Sequence, residues 1–433
     1  EATTDAGDTT LDRIARMVRE AQSKRSPTEQ FVQKFARYYT PAVTGLAVLV
    51  MAVPPLMGLG TGLMLFVRGL TLLVIACPCA LVIATPVTIV SAITSAARHG
   101  VLIKGGEYVE ALGATCAMAF DKTGTLTLGR LEVTDVLPLG VISSPDLLRL
   151  TAAIEARSEH PIGRAIVEHD GKTAGINVHP LMVLSFRAHP GRGVSAEVDG
   201  KPVVVGTIDL VQRTVSNTAE NGFKDRVEAL ERAGKTVVLV SRDGHVLGLL
   251  ALADKLRPEA PAVLAQLRDE GVHHQILLTG DQPFSAAAVG EAVGADEVYA
   301  ELKPHQKVKL VRSIVRKHKG AAMVGDGVND APALAAADVG IAMGGAGSPA
   351  TIETADIVLM ADDLNMLPYA RRVAQLARRL VRFNIGLALG LKALLAIGAV
   401  GGFVSLIVAV LVGDMGASLA VTLNAMRLAR LKP

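Results

Sequence analysis

Four long apolar stretches, Thr40 to Leu59, Leu63 to about Ala97, Asn384 to Val400 and Phe403 to Met426, limit what this chain can fold into. A bilayer crossing takes roughly 20 apolar residues. Each stretch approaches or exceeds that length, so the chain is expected to cross a membrane with two pairs of helices. Short links around Gly60-Thr61-Gly62 and Gly401-Gly402 join the members of each pair. Basic residues gather at the opposite ends: Lys34, Arg37, Arg98 and Lys104 around the first pair, Arg379, Arg382, Arg427 and Arg430 around the second. Those ends, and the long polar segment between the pairs, are therefore expected in the cytoplasm. Arg68, near the outer end of the second span, is an exception that can snorkel.

Composition agrees. The chain is 50% hydrophobic but only 3% aromatic, a balance more suited to lipid than to a wholly soluble protein. A net charge of +3 over 433 residues argues against a nucleic-acid surface or an acidic tail. Cys77, Cys79 and Cys116 are too few for a disulfide framework, and the first two flank a proline inside an apolar run, so they read as ligands rather than staples. A helical stripe of Leu11, Ile14, Val18 and Ala21, with Thr9 and Asp12 as a capping box, predicts a polar lead-in helix that ends at Ser26-Pro27. The acidic, Thr-rich start does not read as a signal peptide and looks like the middle of a longer chain.

The polar segment carries the chemistry. Ala117 to Phe120 reads as a buried strand delivering Asp121 to its carboxyl end, where open α/β sheets place their sites. Lys122, Thr123 and Gly124 then offer a cation, a hydroxyl and a flexible backbone, so Asp121 reads as a nucleophile toward phosphate. From about Leu131 to Leu250 the texture changes to an inserted α+β domain. After Asp254 a βα rhythm resumes, with strands at 275–278, 321–324 and 339–343. The first is followed by Thr279-Gly280-Asp281, the second by Gly325-Asp326-Gly327-Val328-Asn329-Asp330. With Asp121 these make an acidic, glycine-lined crevice suited to Mg2+ and phosphate, which Lys307 can supply with a cation.

Two strings are decoys. Residues 229–236 end in Gly-Lys-Thr but leave a helix to enter a strand, the reverse of a P-loop. Gly191-Arg192-Gly193 precedes a strand, so it is no dinucleotide fingerprint.

In the second apolar stretch, Pro78 is expected to open the helix and expose Cys77 and Cys79 to a soft or borderline metal. Lys392 and Asp414 lie equally deep, each costing roughly 2.5 to 3.5 kcal/mol at the bilayer centre. They are expected to pair with each other or to serve the ion.

On these residues the chain resembles the P-type ATPases, in which the aspartate of Asp-Lys-Thr-Gly-Thr, here Asp121 to Thr125, is phosphorylated by ATP. The resemblance covers nearly the whole chain. It implies a membrane α-helical plus α/β fold: a haloacid-dehalogenase-like phosphorylation domain with an inserted α+β nucleotide-binding domain, and four transmembrane helices in two pairs. It implies catalytic roles for Asp121, Lys122, Thr123, Thr279, Gly280, Asp281, Lys307 and Asn329. Mg2+ is implied at Asp121, Thr123, Asp326 and Asp330. The Ser158-Glu159-His160-Pro161 string resembles the heavy-metal branch, implying ATP contacts at Glu155, Ser158, His160, Pro161, Gly191, Gly193 and Gly206. The last is a departure, because the family commonly has Gly-Asn where this chain has Gly206-Thr207.

Cys-Pro-Cys marks heavy-metal pumps. Lys392 with Asp414-Met415-Gly416 resembles the zinc, cadmium and lead branch, which implies transported metal at Cys77, Cys79, Lys392 and Asp414. The expected function is export of Zn2+, Cd2+ or Pb2+ across a bacterial plasma membrane, by a monomer using ATP and Mg2+. A copper(I) exporter, and a membrane-anchored phosphatase or metal sensor, are the alternatives.

The expected division is 1–34 actuator exit segment and lead-in, 35–99 first helix pair, 100–130 phosphorylation domain, 131–250 nucleotide-binding domain, 251–375 phosphorylation domain again, and 376–433 second helix pair. The family's Thr-Gly-Glu loop does not occur in the sequence. The chain is therefore expected to lack the actuator domain and earlier spans, and to form a phosphoenzyme without pumping.

Overall fold

The computed structural model describes residues 26–56, 62–173, 181–214, 222–327, 330–344, 354–400 and 403–432. The lead-in helix expected over 9–24, and Asn329, lie outside the described residues. The chain divides into two compact units: Glu1–Met118, Ala265–His274 and Val308–Pro433 form the first, Ala119–Leu264 and Gln275–Lys307 the second.

Among the described residues, the first unit holds four helical segments long and apolar enough to cross a membrane. Pro27–Leu56 starts well before Thr40. Ser26-Pro27 starts this helix: Ser26 Oγ accepts from Glu29 N at 3.2 Å, and proline suits a first helical position, where its missing N–H costs nothing. The second stretch divides into Gly62–Ala76 and Cys79–Arg98 at Cys77-Pro78. Met366–Val400 is one continuous helix that begins long before its apolar part. The fourth segment passes through a wider π-helical turn, Ala409–Gly416, which carries Asp414. Ala80, Ala84, Ala388 and Ala417 cluster with Val421 at the helix crossings. Small side chains there let backbones approach, the packing that works where lipid supplies no hydrophobic drive. At the polar end Tyr369 is fully buried, its hydroxyl 2.8 Å from His99 Nδ1 and donating to Ser95 O at 3.2 Å.

The same unit contains buried strands. Ala321–Gly325 pairs in parallel with Val339–Met343, which pairs in parallel with Ile357–Leu359; Val101–Ile103 runs antiparallel to the last. Cys116 N donates to Gly320 O at 3.0 Å, and His274 N to Cys116 O at 3.3 Å. The entry to strand Ala117–Asp121 therefore lies between the residues leading into Ala321–Gly325 and His274–Leu278.

The second unit contains a six-stranded antiparallel sheet in the order Thr127–Pro138, His245–Leu256, Thr236–Arg242, Lys201–Gly206, Gly193–Val198, Val183–His189. Its first two strands pair from Thr127↔Leu256 to Pro138↔Gly248, so the sheet runs past 131 and 250 at both ends. Helices Ser144–Glu155 and Pro161–Thr173 bury Leu147, Ile154 and Ile166 against Val198, Val203 and Val205. Ile208–Gln212 and Gly222–Arg232 form a second core with Val204, Leu239 and Leu249. Val203 and Val204, adjacent in one strand, thus point to opposite faces, each covered by helices. Ser143 caps the first helix, its Oγ accepting from Asp146 N at 3.3 Å. In the same unit His274–Leu278 pairs in parallel with Glu297–Tyr299, and helix Pro283–Val293 ends at Gly294, φ +71°.

Candidate active site and metal centre

Asp121 ends a strand that is buried along its whole length and is itself only 5% exposed. Thr123 at φ −76°, ψ 126° and Gly124 at φ 73°, ψ −1° then have the dihedrals of a type II turn, whose second central position needs a positive φ. Glycine adopts it without strain. Thr127 Oγ1 lies 2.9 Å from Lys122 O, which draws the loop closed.

Two lysines bring positive charge to this loop. Lys307 Nζ lies 2.6 Å from Asp121 Oδ1, with both side chains largely buried. Lys122 forms an ion pair with Asp281 and lies 3.5 Å from Ser285 Oγ. Thr279 Oγ1 accepts from Asp281 N at 3.1 Å, which holds the Thr-Gly-Asp turn. Thr125 is fully buried, and its Oγ1 has no hydrogen-bond partner among the described residues.

Two further residues belong here that the sequence reading passed over. Asp254 accepts from Thr127 Oγ1 at 2.5 Å and from Arg130 N at 3.1 Å, and burial pushes its carboxyl above the usual aspartate range. Arg257, 4% exposed, donates from its guanidinium to Gly124 O at 3.5 Å and from its backbone to Leu126 O at 2.9 Å. Both brace the turn after Asp121. The available signal was a carboxylate and an arginine three residues apart, where the chain returns from the insert.

Lys122, Thr123, Gly280 and Asp281 line a cavity of about 530 Å3 that also reaches Thr207, Lys235 and Thr236. Thr207, Thr236 and Val237 also line a second cavity of about 220 Å3. Glu155, Ser158, His160, Gly191, Gly193 and Gly206 meet around that smaller cavity. Pro161 begins helix Pro161–Thr173 just after His160. His160 Nδ1 accepts from Ile162 N at 3.3 Å, so a neutral ring carries its proton on Nε2. Glu155 is buried, which raises its carboxyl pKa although a Ser158 hydrogen bond opposes the rise.

Gly193 and Gly206 face each other across a strand pair. A Cβ on Gly193 would meet Val205 O at 2.1 Å, and one on Gly206 would meet Arg192 O at 2.2 Å. Close backbone approach therefore requires glycine at 206, despite the departure at Thr207. Gly234-Lys235-Thr236 leaves helix Gly222–Arg232 and enters strand Thr236–Arg242, so it cradles nothing as a P-loop, yet it lines the larger cavity.

Asp326 and Asp330 lie in the first unit. Asp326 follows strand Ala321–Gly325. Asp330 is 3% exposed and its carbonyl accepts from Ala333 N and Leu334 N, both at 2.8 Å, starting a short helix.

The membrane half of the same unit gathers Cys77, Cys79 and Asp414, one potential ligand atom from each within 4.8 Å of the others. Asp414 Oδ1 is buried without a hydrogen-bond partner among the described residues. Cys77 and Cys79 are joined as a disulfide, since one intervening proline leaves their Cα atoms 5.5 Å apart, within bridging range. Reduced, the same pair offers two thiolates beside the carboxylate. Of the two expectations for Lys392 and Asp414, to pair or to serve the ion, a direct ion pair is absent among the described residues. Lys392 Nζ donates instead to Ile75 O at 2.9 Å and to Cys77 O.

A family profile of haloacid dehalogenase-like hydrolases matches residues 117–338. The chain is 43% identical over 426 residues to a probable cadmium-transporting ATPase of Staphylococcus aureus, covering 98% of this chain and 58% of the relative. It is 42% identical over 430 residues to a zinc/cadmium/lead-transporting P-type ATPase of Escherichia coli, covering 99% and 57%. It thus spans between 53% and 60% of the length of such curated relatives. The crystal structure of a zinc-transporting PIB-type ATPase in an E2.Pi state matches with a TM-score of 0.83 at 41% identity, covering 99% of this chain and 69% of that one.

Proposed function

Because the chain belongs to the PIB-type P-type ATPases, the heavy-metal branch of that family, we propose that it serves ATP-driven export of Zn2+, Cd2+ or Pb2+ through an aspartyl phosphate on Asp121. The observation that carries the choice of cargo is the Cys77, Cys79 and Asp414 cluster with its partnerless carboxylate oxygen. Two thiolates with a carboxylate offer mixed soft and hard donors and up to three negative charges, which suit a borderline divalent ion. Cu(I) favours soft sulfur donors alone, so the carboxylate argues against a copper exporter.

On this reading an Asp121 carboxylate oxygen attacks the γ-phosphorus of ATP; the new O–P bond forms as the bond to the β,γ-bridging oxygen breaks, and ADP leaves with that electron pair. Phosphoryl transfer depends on position and charge neutralisation. Lys307 and Lys122 supply cations, and Thr279 shapes the turn that faces them. The residues lining the smaller cavity would hold the adenine, His160 offering its Nε2–H. Asp121, Thr123, Asp326 and Asp330 are hard oxygen donors of the kind Mg2+ takes, and family resemblance assigns to them the ion that neutralises phosphate charge. Asn329 is assigned a supporting role by family resemblance. The setting proposed is a bacterial plasma membrane with the large loop cytoplasmic, the protein acting as a monomer.

The test is labelling of the reduced chain from γ-labelled ATP with each metal in turn. Zn2+, Cd2+ or Pb2+ should raise an acid-stable, hydroxylamine-sensitive label, and Asp121→Asn should abolish it. Stimulation by Cu(I) alone would favour the copper reading. No label with any metal would favour the phosphatase or sensor.

A further inference from the structure

Helix Met366–Val400 has 35 residues and so measures about 52 Å, whereas a bilayer's hydrocarbon core is only about 30 Å thick. Its apolar part begins at Asn384, which leaves the preceding turns outside the hydrocarbon. Along those turns Arg371, Gln375, Arg378, Arg379 and Arg382 recur at spacings of three and four, on one face of the helix. They line a cavity of about 300 Å3 with the turn Gly113 to Cys116 and with Glu270.

Four arginines and one glutamate line this cavity, a surplus of three positive charges. The structure builds the site and does not leave it to loose surface side chains. Arg371, 4% exposed, donates to Leu112 O and to Thr115 O at 2.6 Å, and Arg378 donates to Gly113 O at 3.2 Å. Glu270 forms an ion pair with Arg372, a neighbour outside the cavity lining, at 3.4 Å. Arg371 Nε is buried without a partner among the described residues. Arg379 and Arg382 are exposed and, among the described residues, make no hydrogen bond or ion pair. A concave, arginine-rich wall of this kind fits the oxygens of a phosphate.

The helix also indicates what carries that phosphate. Beyond Arg379, at successive steps of four, come Phe383 and Leu387, 61% and 41% exposed. An anion held by Arg379 and Arg382 thus has an apolar stripe directly beneath it, on the lipid side. We propose that this cavity binds the headgroup of an anionic phospholipid, with its acyl chains along Phe383 and Leu387. The occupied cavity would touch the Gly113 to Cys116 turn, which leads directly into the Asp121 strand. This proposal rests on the membrane placement of Met366–Val400 and not on ATP use or metal choice.

The test is lipid retention by the full chain in nanodiscs of phosphatidylcholine mixed with phosphatidylglycerol, read by native mass spectrometry after gentle extraction. Phosphatidylglycerol should be retained over phosphatidylcholine by roughly tenfold or more, and Arg379→Gln/Arg382→Gln should bring the ratio close to one. Arg427→Gln/Arg430→Gln, which removes equal charge at the end of the fourth span, should leave the ratio unchanged. Equal loss in both double variants would reduce the effect to diffuse surface charge and overturn the proposal. Unchanged selectivity in the first variant would overturn it as well. Displacement of the lipid by millimolar inorganic phosphate would make the cavity a soluble-anion site, which also refutes it.

Discussion

Replacing Lys307 by methionine tests the electrostatics at Asp121 directly, because the shape is nearly kept and only the cation is lost. At the observed 2.6 Å, Coulomb attraction at an effective dielectric of 20 is roughly 6 kcal/mol. Desolvation of two side chains that are 11% and 7% exposed offsets much of it. Removing one partner of a buried pair typically costs about 3 to 5 kcal/mol. Asp121 keeps other interactions, so the lower end applies, about 3 kcal/mol. The molecule can meet that cost by unfolding more readily or by protonating Asp121, because losing a neighbouring cation disfavours the charged carboxylate. Lys307→Met should therefore lower the denaturation midpoint near neutral pH and move the acid limb of phosphoenzyme formation to higher pH. Asp121→Asn/Lys307→Met should regain most of the lost stability, since no carboxylate remains to be neutralised. A single variant within about 1 kcal/mol of the parent, with an unmoved acid limb, would refute the reasoning.

Gly206→Ala puts a Cβ 2.2 Å from Arg192 O; the strand pair must open, and ATP affinity measured by calorimetry should fall about tenfold, the equivalent of a moderate overpacking cost. Glu155 has a raised pKa from burial, so the folded state binds its proton more tightly than the unfolded chain. Its stabilising contribution is full below the ordinary glutamate range and lost as pH rises through the raised value, and Glu155→Gln should flatten that part of the stability profile in pH-dependent denaturation. His160→Gln should weaken phosphorylation by ATP while leaving labelling by inorganic phosphate intact; equal loss of both would make His160 structural. Asp414→Ala and Cys77→Ala/Cys79→Ala should each remove tight Zn2+ binding to the reduced chain, as read by equilibrium dialysis.

What was legible in the sequence followed from strong local patterns. The apolar runs predict helices because length and hydropathy alone set them, and Pro78 predicts the break because it has no N–H to donate. The start of the first membrane helix was not legible, because Ser-Pro fits a helix end and a helix start equally well, and the Ser26 to Glu29 bond shows that a helix begins there. Asp254 and Arg257 escaped for a different reason. They serve the site through Thr127, Gly124 and Leu126, contacts made across a strand pair more than 120 residues apart in sequence, and no local spacing records such pairing. The nucleotide cavities were half legible. His160 and the glycines carry a motif, whereas Thr207, Thr236 and Val237 reach the cavities only through the order of the antiparallel strands.

Lys392 is where sequence logic and structure diverge most usefully. Two opposite charges at similar depth invite a pair, because an unpaired charge in hydrocarbon is costly. The break at Cys77-Pro78 offers the lysine a competing partner. A helix interrupted there ends with carbonyls that have no intrahelical donor, and in lipid each unsatisfied group costs several kcal/mol. Val74 O is met by Cys77 N at 3.3 Å, while Ile75 O and Cys77 O receive the ammonium of Lys392. One cation thus satisfies two carbonyls of the break that presents the sulfurs. Asp414 is left with an unbonded oxygen toward them. Lys392 is then a positioning residue for the cysteines. Lys392→Met, which keeps the bulk without the donors, should disturb Cys77 and Cys79 even when Asp414 is intact. Weakened Zn2+ binding in that variant, with slower re-formation of the Cys77–Cys79 disulfide after reduction, would distinguish this role from one in which the lysine only neutralises Asp414. A lysine of the latter kind would leave disulfide formation unchanged.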